Sequence, residues 1–304
     1  VPYAAIAYSY PTFASIIPFW AALSLGHWSE TLINTPVLLC GIALGLALYG
    51  QSRELGVNRL LSVGAVYLLL SVPLVGSHLS LAGYADVWML GFAGLGFVAL
   101  VHGQAVHNHF QAALGLGMIF LSIMVKDEGV VWLCTALAML FLVRFRLRGA
   151  MVLLMLTALL IIVAMILDCT FVDLPLVGRL GVANGKVYIP FLGSHTLQIN
   201  NVWAAYWDSF FTLASWHLLW PMLVLAVGLL FFLRSTRLAV VIAVFLLIAT
   251  ISQVFIFVVT ELGVWASDFS SINRLPLQLV PALLYCLVVL FSTLFERFNS
   301  RVKR

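Results

Sequence analysis

Long apolar runs, with nearly all charges confined to the gaps between them, limit what this chain can fold into. The runs lie at 33–50, 59–76, 85–102, 109–125, 129–145, 150–168, 216–233, 238–259 and 275–294. Each is about the ~20 residues an α-helix needs to cross a bilayer. Only 9% of the chain is charged and 63% is hydrophobic, whereas a soluble domain carries roughly 25% charged residues. The runs are continuous, so they lack the alternation of a membrane β-barrel. The sequence therefore predicts an all-α, polytopic transmembrane helical bundle of about nine spans, forming one domain over 1–304.

Alternating the runs across a membrane sorts the charges by sign. Arg53, Arg59, Arg144, Arg146, Arg148, Arg234, Arg237, Arg297, Arg301, Lys303 and Arg304 fall on one face. Glu30, Asp86, Asp127, Glu128, Asp168, Asp173, Asp208, Glu261 and Asp268 fall on the other. Basic loops stay in the cytoplasm, which puts the acid-rich face outside. The net charge of +4 then belongs to cytoplasmic loops meeting anionic lipid, so it is no argument for nucleic acid.

Two segments break the pattern of spans and short turns. Residues 1–31 include an apolar stretch with Pro11 and Pro18 that ends at His27-Trp28, read as a juxtamembrane helix on the outer surface. The outer loop 169–215 begins irregular, with Pro175, Gly178, Gly181, Gly185, Pro190 and Gly193. It ends with Trp203, Tyr206, Trp207 and Phe210 on one helical face, read as an amphipathic aromatic helix on the outer leaflet. Cys40, Cys134 and Cys286 sit inside apolar runs as small core residues, and Cys169 lies at an outer edge without a partner. No internal repeat is visible. The chain opens Val-Pro-Tyr with no initiator Met, and is read as a fragment.

Three groups of polar residues stand at the outer ends of spans. Asp86 follows His78 and Tyr84. At a helix start a carboxylate gains about 0.3–1 kcal/mol from the helix dipole, so Asp86 reads either as a cap or as a carboxylate facing a polar cavity, there to bind a metal ion or a sugar hydroxyl. Lys126, in Lys126-Asp127-Glu128-Gly129, reads as a solvated turn or as a phosphate ligand, because outer basic residues run against the positive-inside bias. Arg274 opposes the dipole of the last span, which Gln278, Pro276 and Pro281 would kink and line with polar groups. It reads as a snorkelling side chain or as a bidentate grip on a phosphate. His102, His107 and His109 lack metal-site spacing, and Asp168, Asp173, His195 and Asp208 are too irregular to define a site.

Four landmarks in order resemble the GT-C fold glycosyltransferases, the superfamily of the lipid A aminoarabinose transferases and protein O-mannosyltransferases. They are Tyr10-Pro11 leading to Leu25-Gly26, Gly83-Tyr84-Ala85-Asp86, Lys126-Asp127-Glu128-Gly129, and Arg274 with Pro276 and Pro281. The resemblance covers nearly the whole chain. It implies an integral protein of a bacterial inner membrane that moves a sugar from a polyprenyl-phosphate donor to a glycan, lipid or protein acceptor on the extracytoplasmic face, with inversion. Asp86, Lys126 and Glu128 would form the catalytic centre. Arg274, Tyr84, His78, Gln278 and Trp207 would contact substrate, the last as part of a cover. Asp86 would share a Mg or Mn ion. The catalytic base would be an acidic residue of an upstream loop, which no residue in 1–31 matches.

Other readings stay open. A transporter or lipid flippase would need polar residues near mid-membrane along several spans, where the sequence offers little beyond Gln253. A polymerase or ligase of polyprenyl-linked glycans would carry its long outer loop later in the chain. A non-catalytic scaffold is the remaining alternative.

Overall fold

A computed structural model describes residues 11–81, 83–167, 171–174, 178–183, 186–189, 193–233 and 236–302. Tyr10, Asp168, Cys169, Pro175, Gly185, Pro190, Arg234, Lys303 and Arg304 lie outside the described residues, as do the side chains of Arg146, Asp173, Arg179 and Arg301.

The chain is mostly helical. In order the helices are α1 (Phe13–Leu25), α2 (Glu30–Ile33), α3 (Thr35–Glu54), α4 (Arg59–Ser71), α5 (Pro73–Ser80), α6 (Asp86–Met89), α7 (Leu95–Val106), α8 (His109–Leu121), α9 (Glu128–Leu167), α10 (Trp203–Trp207), α11 (Leu219–Leu233), α12 (Arg237–Val259) and α13 (Ser270–Val302). Among the described residues five helices are long and apolar enough to cross a bilayer, or six if the bent pair α4–α5 is one span. That corrects the expectation of nine. The runs at 109–125 and 216–233 form shorter apolar helices, His109–Met124 and Leu219–Leu230. The run at 59–76 is broken, because α4 and α5 meet at 62°. Pro73 starts α5 and forces Val72 into an extended conformation (φ −60°, ψ 120°), as the residue before a proline prefers.

The expected cytoplasmic turn at Arg144–Gly149 is helical, inside the 40-residue α9. A straight helix of that length would run about 60 Å, roughly twice the hydrocarbon core. It is not straight. A Cβ on Gly149 would stand 3.4 Å from the carbonyl oxygen of Phe141, eight residues upstream, which a straight helix holds about 12 Å away. The chain bends sharply where the sequence placed a turn.

The loop expected to begin irregular holds a small sheet instead. Strands β1 (Phe171–Leu174), β2 (Gly178–Ala183), β3 (Lys186–Ile189) and β4 (Gly193–Thr196) form an antiparallel sheet in sequential order. Gln198 and Asn200 then donate backbone bonds to Val259 and Val258, and His195 Nδ1 lies 3.5 Å from Glu261. The loop is thereby tied to the same end of the bundle as Glu261.

Small residues let the helices meet closely, as membrane packing favours. A Cβ on Gly115 would be 2.5 Å from the Gly96 carbonyl oxygen, and one on Gly103 would be 2.5 Å from the Ala112 nitrogen, which brings α7 against α8. Helix α13 is the most buried of the candidate spans. Between α6 and α7 the span widens into a π-turn, Leu90–Gly94. There a Cβ on Gly94 would meet the Gln278 carbonyl oxygen at 2.7 Å and Pro281 at 2.9 Å. That contact brings α13 beside Asp86. Of the three described cysteines only Cys286 is buried; Cys134 is exposed, so it is not the core residue expected.

Candidate functional site

Asp86 is the first residue of α6, yet its side chain caps nothing. It is buried, and its Oδ1 accepts from Lys126 Nζ at 3.1 Å and from Gln278 Nε2 at 3.0 Å. The cap reading therefore fails.

Lys126 is also buried, so the turn it occupies is not solvated as the default reading held. A tight return brings it inward: Lys126 N donates to Ser122 O, and Gly129 N donates to Lys126 O at 2.8 Å. Gly129 is required there, since a Cβ would stand 2.5 Å from the Ser122 carbonyl carbon and 2.4 Å from the Ile123 nitrogen. Glu128, in the first turn of α9, holds the Lys126 ammonium at 2.8 Å, and its Oε2 is buried without a partner among the described residues. Burial alone would lower the Lys126 pKa, but Glu128 and Asp86 outweigh it and hold the ammonium above the ordinary lysine value. Burial and then Glu128 push the Asp127 carboxyl up, while Lys126 pulls it down.

Gln278 is fully buried. Trp132 Nε1 donates to its Oε1. An indole N–H only donates, so it must meet the amide oxygen, and the amide nitrogen is left to face Asp86. Gln278 thus orders the carboxylate and is not among the residues lining the neighbouring cavity. Sequence reasoning missed Trp132; nothing in its apolar run marked it.

His78 and Arg274 border a cavity of about 140 Å³ with Tyr84, Asn273, Phe269 and Leu74. The Tyr84 ring lies 5.0 Å from the His78 ring and 5.4 Å from the Arg274 guanidinium carbon. Arg274 is half-buried and, among the described residues, has no carboxylate within ion-pair distance. His78 Nε2 stands 3.9 Å from Asp86 Oδ2. Asn273 was also missed. Its Oδ1 accepts from Ser209 Oγ at 2.6 Å and Trp216 Nε1 at 2.9 Å, which fixes the cavity wall against the segment following α10.

The structure thus brings together Asp86, Lys126, Glu128 and Gln278, and beside them His78, Tyr84 and Arg274. Trp207 is not among them. It is 62% exposed and packs on Phe211. The five-residue α10 passes into a π-turn at Asp208–Thr212, which splits the expected aromatic face. Tyr206 and Phe210 turn inward, the first donating to the Gln253 carbonyl at 3.2 Å and the second stacking on Trp220 at 4.0 Å.

Nothing at Asp86 gathers further oxygen ligands for a Mg or Mn ion among the described residues. One oxygen already carries an ammonium and an amide, and the described residues hold no group of three His, Cys, Asp or Glu suited to a metal. His102 is buried, bonded to the Tyr285 hydroxyl at 3.0 Å and 3.7 Å from Glu54. Together with a Thr135–Ser252 hydroxyl pair at 2.8 Å, this makes the spans less bare of polar groups than the sequence reading held.

Against known protein families, curated proteins and solved structures, the chain has no match.

Proposed function

We propose that this membrane protein transfers a sugar from a polyprenyl-phosphate donor to an acceptor hydroxyl, in the manner of the GT-C transferases its landmarks resemble. One observation carries the reading: Arg274 lines a small cavity beside a buried carboxylate network while having no carboxylate of its own among the described residues. A half-buried guanidinium in that state is a ready partner for a phosphate, which it binds bidentately. Lys126 supports the reading differently from the expectation. Its ammonium is already shared by Asp86 and Glu128, so it positions Asp86 and leaves the phosphate to Arg274. As the donor's bond breaks, charge develops on the phosphate, and a fixed cation there stabilises the transition state. Tyr84 offers an apolar ring face to a sugar. The acid-rich loops support the extracytoplasmic side of the membrane as the working face.

The test is transfer from a radiolabelled polyprenyl-phosphate sugar by the full-length protein in liposomes. Arg274→Ala is expected to lose transfer by roughly 10²–10³-fold, the usual cost of one transition-state donor. Unchanged transfer would remove Arg274 from the reaction.

A second reading, a lipid-linked glycan transporter, draws on a different observation. Apolar cavities of about 570 and 390 Å³ between α11 and α12 share Val227, Leu246 and Thr250. They adjoin at these residues, and their apolar lining suits a lipid chain. Movement of labelled lipid across liposomes without chemical change would favour that reading.

A further inference from the structure

We propose that His78 takes the proton of the acceptor hydroxyl and that Asp86 holds the imidazolium so formed. This rests on the transfer reading above, and it puts the proton acceptor on a residue that lines the described cavity.

The tautomer of His78 is set by its neighbours. Nδ1 lies 2.8 Å from the Leu74 carbonyl oxygen. A carbonyl only accepts, so Nδ1 carries the hydrogen, and the neutral ring presents its lone pair at Nε2. That Nε2 is buried and has no hydrogen-bond partner among the described residues. It faces Asp86 Oδ2 across 3.9 Å, and the other Asp86 oxygen is occupied by Lys126 and Gln278. In the neutral ring, two acceptors therefore face each other with no hydrogen between them. What the arrangement lacks is a proton, and a hydroxyl reaching it supplies one.

The surroundings favour the charge that results. Asp86 is the one carboxylate within ion-pair distance of His78 among the described residues. Lys126 and Glu128 stand behind it. On the cavity side the Tyr84 ring neighbours both His78 and Arg274. His78 and Arg274 thus line one cavity.

The step balances. The hydroxyl proton passes to Nε2, and the oxygen's electron pair forms the bond to the anomeric carbon. The bond from that carbon to the phosphate oxygen breaks, leaving its electron pair on the phosphate beside Arg274. The imidazolium, held by the Asp86 carboxylate, later returns its proton to solvent.

The experiment compares the full-length wild type with His78→Asn and His78→Ala in liposomes containing a polyprenyl-phosphate sugar. Asparagine keeps an N–H for the Leu74 carbonyl and has no counterpart to Nε2, so it guards against simple misfolding. In both variants kcat is expected to fall about 10²–10⁴-fold, the usual contribution of a proton-transfer group, with the donor KM retained. Added imidazole is expected to restore part of the alanine variant's rate. Wild-type kcat in either variant, a defect in KM in place of kcat, or no recovery with imidazole would each overturn the role. A wild type that transfers nothing sinks the transfer reading itself and His78 with it, whereas failure confined to the variants' behaviour sinks His78 alone.

Discussion

Lys126 and Asp86 form a buried ion pair with 3.1 Å between ammonium and carboxylate. Both leave water to do so, and the attraction offsets that loss only because Gln278 and Glu128 complete the hydrogen bonding. Removing one partner of such a pair typically costs about 3–5 kcal/mol, because the other is left as an uncompensated buried charge. Asp86→Asn and Lys126→Met should each lower the thermal unfolding midpoint in detergent. The double variant should lose less than the sum of the two. Strict additivity would mean that the two side chains do not interact in the folded protein.

The same pair sets a pH dependence. The Lys126 pKa is raised in the fold. A group whose folded pKa exceeds its unfolded value contributes stability that is complete below the unfolded value and is lost as pH rises through the folded one. The Lys126 contribution is thus constant across neutral pH and declines only above the ordinary lysine value of 10.5. Unfolding midpoints of wild type and Lys126→Met should run parallel from pH 6 to 9 and converge at strongly alkaline pH. A gap that instead opens on alkalinisation would reverse the assigned sign.

Gly129 makes the inward turn possible. Alanine there would drive its methyl to within 2.4 Å of the Ile123 nitrogen and 2.6 Å of the Ser122 carbonyl oxygen, both backbone atoms. Gly129→Ala should therefore displace the turn and withdraw Lys126 from Asp86. Its unfolding midpoint should fall at least as far as that of Lys126→Met, and it should add little on top of that substitution. Gly117 has nothing near its Cβ direction, so Gly117→Ala should be tolerated and serves as the control.

The parts of the site that the sequence exposed are those marked by charge. In a chain that is 9% charged, Asp86, Lys126, Glu128 and Arg274 at span ends stand out, and all four gather at one end of the bundle. What stayed hidden depends on packing. Trp132 looked like one more apolar residue, and its role comes from α13 crossing at the distance Gly94 permits. The burial of Lys126 was invisible because a Lys-Asp-Glu-Gly turn reads as solvated unless its carboxylate partner, 40 residues away, is known. Span number was overread for a similar reason. Hydropathy marks the runs but not the break at Val72–Pro73 or the length at which His109–Met124 stops. The sheet at 171–196 was masked by its glycines and prolines, which read as irregular loop.

The most direct test of the account is product analysis after the purified full-length protein is reconstituted with a polyprenyl-phosphate sugar and a hydroxyl-bearing acceptor. Sugar transfer predicts free polyprenyl phosphate appearing in step with glycosylated acceptor of inverted anomeric configuration, and Arg274→Ala slowing both by the same roughly 10²–10³-fold. Donor recovered intact, whether or not it has crossed the bilayer, would contradict it.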